Sequence, residues 1–230
     1  MDVVLLSNSN PFEIKAIVDS VIKNIKTKQP LEFLLHENLD PAKKKESVLL
    51  LKWAINEPHF VTVLKTFDSD CGCLLTRLKD YIKSKYFLFI GNSLGFIKEV
   101  DMDPIIKLMN DHEHINQVSF NPFSNPESIK KPGGPKGENR FYYKPFLHDK
   151  NIFLINERWS WYPSIWRRSF FIHRWRYFGH DANQQFNRQL KHGFGYKEWD
   201  SKFLEKNLGA LIYGNVSDGP FLEEIIYEES

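Results

Sequence analysis

At 230 residues the chain is long enough to bury one substantial core, and its 31 basic against 29 acidic side chains leave a formal charge of +2. That balance gives no argument for a phosphate backbone or an anionic membrane surface as partner, and no stretch is apolar for long enough to span a bilayer. Met1 to Asn8 carries an acid beside the initiator and no basic flank, so it reads as a first strand and not as a signal peptide. Cys71 and Cys73 are separated by Gly72 alone, a spacing that strains a disulfide, and a reducing, cytoplasmic setting is expected. Aromatic residues make up 15% of the chain, which fits either a heavy core or a stacking surface.

The first half alternates strand and helix. Val3 to Leu6 is a short apolar run that breaks into the polar turn Ser7, Asn8, Ser9, Asn10. Asn10, Pro11 and Glu13 then supply a cap, a proline at the first helical position and a capping-box acid. Ile14, Ile17, Val18, Val21, Ile22 and Ile25 follow at helical spacing as a buried stripe. Leu31, Phe33 and Leu35 alternate as a second strand; Asp40 and Pro41 start a helix whose inner face is expected at Val48, Leu51 and Ile55. Phe60 to Leu64 reads as a third strand. Asp70 is placed to cap a helix with Leu74, Leu75, Leu78 and Ile82 inward, and Tyr86 to Ile90 is a wholly apolar fourth strand suited to a sheet centre. Asp103 and Pro104 open one more helix.

Such a succession predicts a mostly parallel sheet with helices on both faces and a ligand crevice at the carboxyl ends of its strands. Ser7, Asn8, Glu37, Asp68, Asp70, Gly91, Asn92 and Ser93 are therefore expected to converge. Two Asp-x-Asp strings, Asp68 to Asp70 and Asp101 to Asp103, have metal-binding spacing, but Asp70 and Asp103 stand at helix starts, where aspartate caps free amides. Asp40 also reads as a cap, whereas Glu37 has no cap role. Gly72 reads as a turn residue or as an approach for a diphosphate to backbone amides.

The character changes at Asn121. Pro122 to Gly137 is rich in proline, glycine and lysine and predicts a mobile loop near 122–139. Beyond it Phe141 to Tyr143 and Ile152 to Ile155 read as a strand pair, Ser164 to Phe178 as an aromatic-rich helix, Asn183 to Lys191 as a polar helix, and Leu208 to Tyr213 as a last strand before an acidic tail. Arg158, Arg167, Arg168, Arg174 and Arg176 interleave with Trp159, Trp161, Trp166 and Trp175, which suits either diphosphate binding with stacking or a packed aromatic face with solvated arginines. His112 and His114 read as helix-end residues, and Cys-x-Cys without a second pair does not make a zinc site.

V-V-L-L-S-N-S-N-P followed by F-E-I-K-A-I-V-D-S-V-I-K-N-I, then D-C-G-C-L-L-T-R-L, Y-F-L-F-I-G-N-S-L and W-S-W-Y-P-S-I-W-R-R-S-F-F, resemble in order the segments of family 2 glycosyltransferases of the GT-A fold. The resemblance implies a Rossmann-type α/β core at 1–120 that binds a nucleoside diphosphate sugar, and an aromatic-rich acceptor-side portion at 121–230. It implies donor contacts from Ser7, Asn8, Glu37, Asp70, Asn92, Ser93, Arg167 and Arg168, acceptor contacts from Trp159 and Trp161, and Asp181 as the base that deprotonates an acceptor glycan hydroxyl, with His180 as alternative. Mn2+ or Mg2+ would accompany the donor, yet Gly91, Asn92 and Ser93 stand where that family carries two aspartates. Gln184 or Gln185 stands where relatives carry an acid. An inactive sugar- or nucleotide-binding module is the alternative to a transferase; single-stranded RNA binding through the Arg/Trp segment is a third reading, disfavoured by the balanced charge.

Overall fold

A computed structural model of the protein describes residues 1–7, 10–39, 41–67, 76–91, 93–120, 141–145, 153–156, 162–174, 209–214 and 219–225. In chain order these form β1 (Asp2–Ser7), α1 (Pro11–Asn24), β2 (Ile25–Lys26), β3 (Glu32–Leu39), a 3-10 turn (Pro41–Lys43), α2 (Lys44–Asn56), β4 (Phe60–Phe67), β5 (Tyr86–Ile90), β6 (Leu94–Phe96), β7 (Val100–Asp101) and α3 (Met102–Asp111). There follow β8 (Gln117–Phe120), β9 (Phe141–Pro145), β10 (Phe153–Asn156), β11 (Ser164–Arg167), α4 (Arg168–Arg174), β12 (Ala210–Tyr213) and β13 (Leu222–Glu224).

Nine strands make one sheet in the order β4-β3-β1-β5-β11-β8-β12-β10-β9. β4, β3, β1 and β5 run parallel. β11 runs against both β5 and β8, and β12 pairs parallel with β8. The apolar runs read at β1 and β5 and the alternating segment at β3 fill both faces. Val3, Leu5, Phe33, Leu35 and Leu88 pack under α1, α2 and α3, while Val4, Leu34, Phe87 and Phe89 pack with Leu78, Ile82, Trp166 and Phe171. On that second face Trp166 lies with its ring centroid 5.1 Å from Phe89 and 5.0 Å from Phe171, so part of the aromatic content is core.

α1 forms where its cap and stripe place it, except that Ile22, expected on the buried stripe, is 42% exposed. Asn10 Oδ1 accepts the Glu13 amide at 3.1 Å, Pro11 sits in the first turn, and Ile14, Ile17, Val18 and Val21 are buried. Asn10→Ala leaves the Glu13 amide without that acceptor and is expected to lower stability by about 1 kcal/mol, read as a shifted midpoint in urea denaturation.

Several local expectations change. In α2 the buried residues are Ser47, Leu50 and Ala54, whereas Val48 and Ile55 are 42% and 73% exposed, so the inner face is rotated by one residue from the expected stripe. The Pro41 segment is a 3-10 turn, and α2 starts at Lys44 without a side-chain cap. α3 is capped by Asp101, whose side chain accepts the Asp103 amide, rather than by Asp103. Ser164 to Arg167 is a strand and Arg168–Arg174 is helical, with 175–178 outside the described residues; the strand forms because Ile165 and Trp166 face opposite cores between two strands that need a partner. β13 comes from the segment read as a tail and pairs with β6. The loop expected near 122–139 and the helix expected at Asn183 to Lys191 lie outside the described residues.

Candidate functional site

The chain passes from β1 outward to β3 and β4 and then returns to β5 on the other side of β1, so the strand order reverses between β1 and β5. A crevice is expected at the carboxyl ends of those two strands. Ser7 closes β1 there, in register with Glu37 of β3, and Leu5 is in register with Ile90 of β5. Ser7 and Glu37 thus stand side by side on the face covered by α1 and α2. Both are buried, and Glu37 Oε1 accepts from Ser47 Oγ of α2 at 2.9 Å. Ser7 Oγ has no hydrogen-bond partner among the described residues. Ser93 follows the end of β5, and its carbonyl accepts the Ile225 amide at 2.8 Å, which ties the β5–β6 turn to β13. β11 enters the sheet at this same end, with Ser164 opposite Phe89. Asn8, Asp70, Asn92, Trp159, Trp161, Asp181 and His180 lie outside the described residues.

Arg167 and Arg168 do not belong to this crevice. Arg167 is opposite Tyr86, the first residue of β5, at the amino end of the parallel strands. Its guanidinium is buried at the end of α3: Nε donates to Ile115 O at 3.0 Å, Nη1 to Tyr86 Oη at 3.0 Å, and Nη2 to the Met109 and His112 carbonyls. It also lies 5.2 Å from the Tyr86 ring centroid. A cation there is favoured by the negative end of the helix dipole. Arg168 donates from Nε to Ile82 O and from its amide to Lys85 O, at the same edge. Sequence spacing could not separate the two edges, because it does not show that β11 runs antiparallel, which carries its last residues to the amino end of its parallel neighbour. With Trp166 in the core as well, three of the residues on which the Arg/Trp stacking and RNA readings relied are used in folding.

A cavity of about 290 Å³ opens instead at the carboxyl half of β3 and β4, on the opposite sheet face from Ser7 and Glu37, lined among others by His36, Thr66, Arg77, Asp80 and Tyr81. His36 is in register with Leu6 of β1, one residue short of Ser7. It is fully buried, with Nε2 3.3 Å from Thr66 Oγ1. Residues 76–78 are helical, and Leu78 and Ile82 are buried against the sheet. The helix expected to run through Ile82 gives way to a turn at 79–81, which still buries Leu78 and Ile82 and leaves Arg77 and Tyr81 exposed on the cavity lining.

The described residues at the end of β5, Gly91 and Ser93, bring no carboxylate for a divalent cation. Gly91 offers no side chain, and a Cβ there would meet Phe89 ring carbons at 2.4 and 2.7 Å. Among the described residues no group of three or more His, Cys, Asp and Glu is placed to hold a metal. Asp101 caps α3, and Asp103 Oδ1 accepts from the Lys28 amide at 3.3 Å and from Thr27 Oγ1 at 3.4 Å. That pair sits beside β2, beyond the far end of α1, about 20 Å of helix from Ser7.

The mixed α/β architecture with a mostly parallel central sheet is that of GT-A-type glycosyltransferases. Among solved structures the chain is similar to S. aureus TarS 1-349 in complex with UDP-GlcNAc, at TM-score 0.60 and 14% identity over 100% of this chain and 59% of that one. It is similar to GalNAc-T7 with UDP, GalNAc and Mn2+, at TM-score 0.59 and 13% identity over 92% of this chain and 42% of that one. The mannosyltransferase PcManGT from Pyrobaculum calidifontis, in complex with GDP-Man and Mn2+, follows at TM-score 0.54 and 12% identity, covering 92% and 55%. The chain thus spans less than two thirds of each of these proteins. No protein-family model and no curated protein matches the sequence. Among the described residues no helix is long and apolar enough to cross a membrane.

Proposed function

We propose that the protein binds a nucleoside diphosphate sugar in the crevice between β1 and β5 and transfers the sugar to a hydroxyl of a glycan, in the cytoplasm. The observation that carries the reading is the strand-order reversal that gathers Ser7, Glu37 and Ser93 at one end of a sheet of this fold, together with neighbours solved with UDP-GlcNAc, UDP or GDP-Man. Asn8, Asp70 and Asn92 complete the donor contacts, and Trp159 and Trp161 stack on the acceptor. Asp181 takes the proton of the acceptor hydroxyl as its oxygen attacks the anomeric carbon. The bond to the diphosphate breaks with its electron pair going to the leaving phosphate oxygen, and the configuration inverts.

The second reading, a sugar-nucleotide-binding module without catalysis, is favoured by one feature, the replacement of the family's acidic motif by Gly91, Asn92 and Ser93. Incubation with UDP-GlcNAc, UDP-GalNAc and GDP-mannose, each with a mixed glycan acceptor, separates the two. Release of nucleoside diphosphate that depends on acceptor is the expected result. Binding without release assigns the module, and neither binding nor release rejects the donor reading.

A further inference from the structure

We propose that the outer face of α2 docks the protein on an anionic phospholipid surface, with Val48, Leu49 and Ile55 entering the headgroup boundary and four lysines facing the lipid phosphates. α2 carries two apolar stripes, and packing on β3 and β4 uses the one with Leu50 and Ala54. Val48, Leu49 and Ile55 are left 42%, 59% and 73% exposed. They follow one another within about 10 Å of helix, and burial against an apolar partner would remove that area from water. Helical spacing sets the exposed Lys45 and Lys52 between Leu49 on one side and Val48 and Ile55 on the other. An outward face of this make-up, apolar side chains interleaved with lysine, suits the boundary between headgroups and acyl chains.

The charges select the partner. Lys43, Lys44, Lys45 and Lys52 are all exposed, and Glu46 is the one acid between Pro41 and Asn56. Three of the lysines stand at the start of α2, where Lys43 is the N-cap and makes no side-chain capping bond. The positive end of the helix dipole disfavours cations there, so folding by itself calls for a capping oxygen or an acid at these positions. An anionic surface reverses the sign: the free amides of the first turn and the three ammonium groups attract the same phosphate oxygens. Lysine stems lie along apolar surface while their ammonium groups stay at the polar boundary, so the two halves of the patch act together. A second copy of the chain is a poor occupant, because a two-fold interface sets a patch against itself and opposes lysine with lysine. The balanced composition of the whole chain does not show this local excess.

The test is co-sedimentation of the full chain with vesicles of phosphatidylcholine alone and of an equimolar mixture with phosphatidylglycerol. The natural chain should bind the mixed vesicles about tenfold or more tightly than the neutral ones. Molar salt, which shortens electrostatic reach to about 3 Å, should remove most of that difference. Leu49→Ser with Ile55→Ser, and Lys45→Glu with Lys52→Glu, should each weaken binding to the mixed vesicles by about tenfold or more. All four positions are exposed, so the urea midpoints of both double variants should stay close to that of the natural chain. Equal binding to the two vesicle types, binding to neither, or binding that both double variants retain overturns the proposal. Sedimentation equilibrium without lipid gives the competing occupant: a dimer that Leu49→Ser with Ile55→Ser dissociates overturns the proposal and assigns the face to a second copy.

Discussion

Replacing Arg167 with alanine is expected to lower stability by about 3 kcal/mol or more while leaving the nucleotide affinity of the native fraction unchanged. The guanidinium has four acceptors: the carbonyls of Met109, His112 and Ile115 and the hydroxyl of Tyr86. Arg167 is 8% exposed and β11 lies between two strands, so truncation removes a buried donor set from these acceptors. The Met109 and His112 carbonyls also belong to the end of α3, whose partial negative charge loses its cation. Arg167→Lys is expected to recover little, since one ammonium on a flexible stem cannot reach three carbonyls and a hydroxyl together. Urea denaturation gives the stability change, and titration with UDP gives the affinity. Unchanged stability with weakened UDP binding would return Arg167 to the donor site.

That contrast shows where the sequence was legible. β1, α1 and β5 were readable because their information is local: short continuous apolar runs, or a 3.6-residue stripe bounded by Asn10 and Pro11, with the strand-to-helix turn placing Ser7 at a carboxyl end. The segment from Ser164 was not, because its state is decided by partners far away in the chain. Arg167 Nη1 meets Tyr86 across 81 residues and Gln117 Nε2 meets Ser164 Oγ across 47. A run with arginines every few residues satisfies a helical pattern as well as a strand that buries one arginine at a helix end. In α2 the ambiguity was smaller and of another kind. Val48, Leu50, Leu51, Ala54 and Ile55 fill two adjacent stripes, and only packing on β3 and β4 selects the one with Leu50 and Ala54. At the crevice the sequence placed Ser7, Glu37 and Ser93 at the ends of their strands, whereas His36 and Thr66 meet only when β3 and β4 pair.

Gly209→Ala is expected to be as damaging as the loss of Arg167, for a backbone reason. Gly209 has φ +56°, and a Cβ there would meet the His114 carbonyl oxygen at 1.7 Å, its carbon at 2.6 Å and Ile115 Cα at 2.7 Å. Backbone on both sides leaves no flexible side chain to yield. The two segments are also stitched together, because Gly209 O accepts the Asn116 amide at 2.8 Å and the Gln117 amide at 3.1 Å. The methyl must therefore separate β12 from the start of β8, and we expect a loss of about 3 kcal/mol or more. Gly219→Ala is the internal control. Its φ is +70°, but the nearest contact is Lys98 Nζ at 3.5 Å, so only the conformational term applies, about 1 kcal/mol. Urea denaturation of the two variants should separate them by at least twofold in stability loss, with amide protection in 210–213 and 153–156 falling in Gly209→Ala alone. Equal losses would mean that β12 does not approach the His114 carbonyl as described. The position matters beyond stability, since Gly209 sets the register of Ala210 on Gln117 and β8 runs from there to Phe120 at the crevice end of the sheet. A loosened β12 should then weaken UDP binding without any change to a residue that faces the donor.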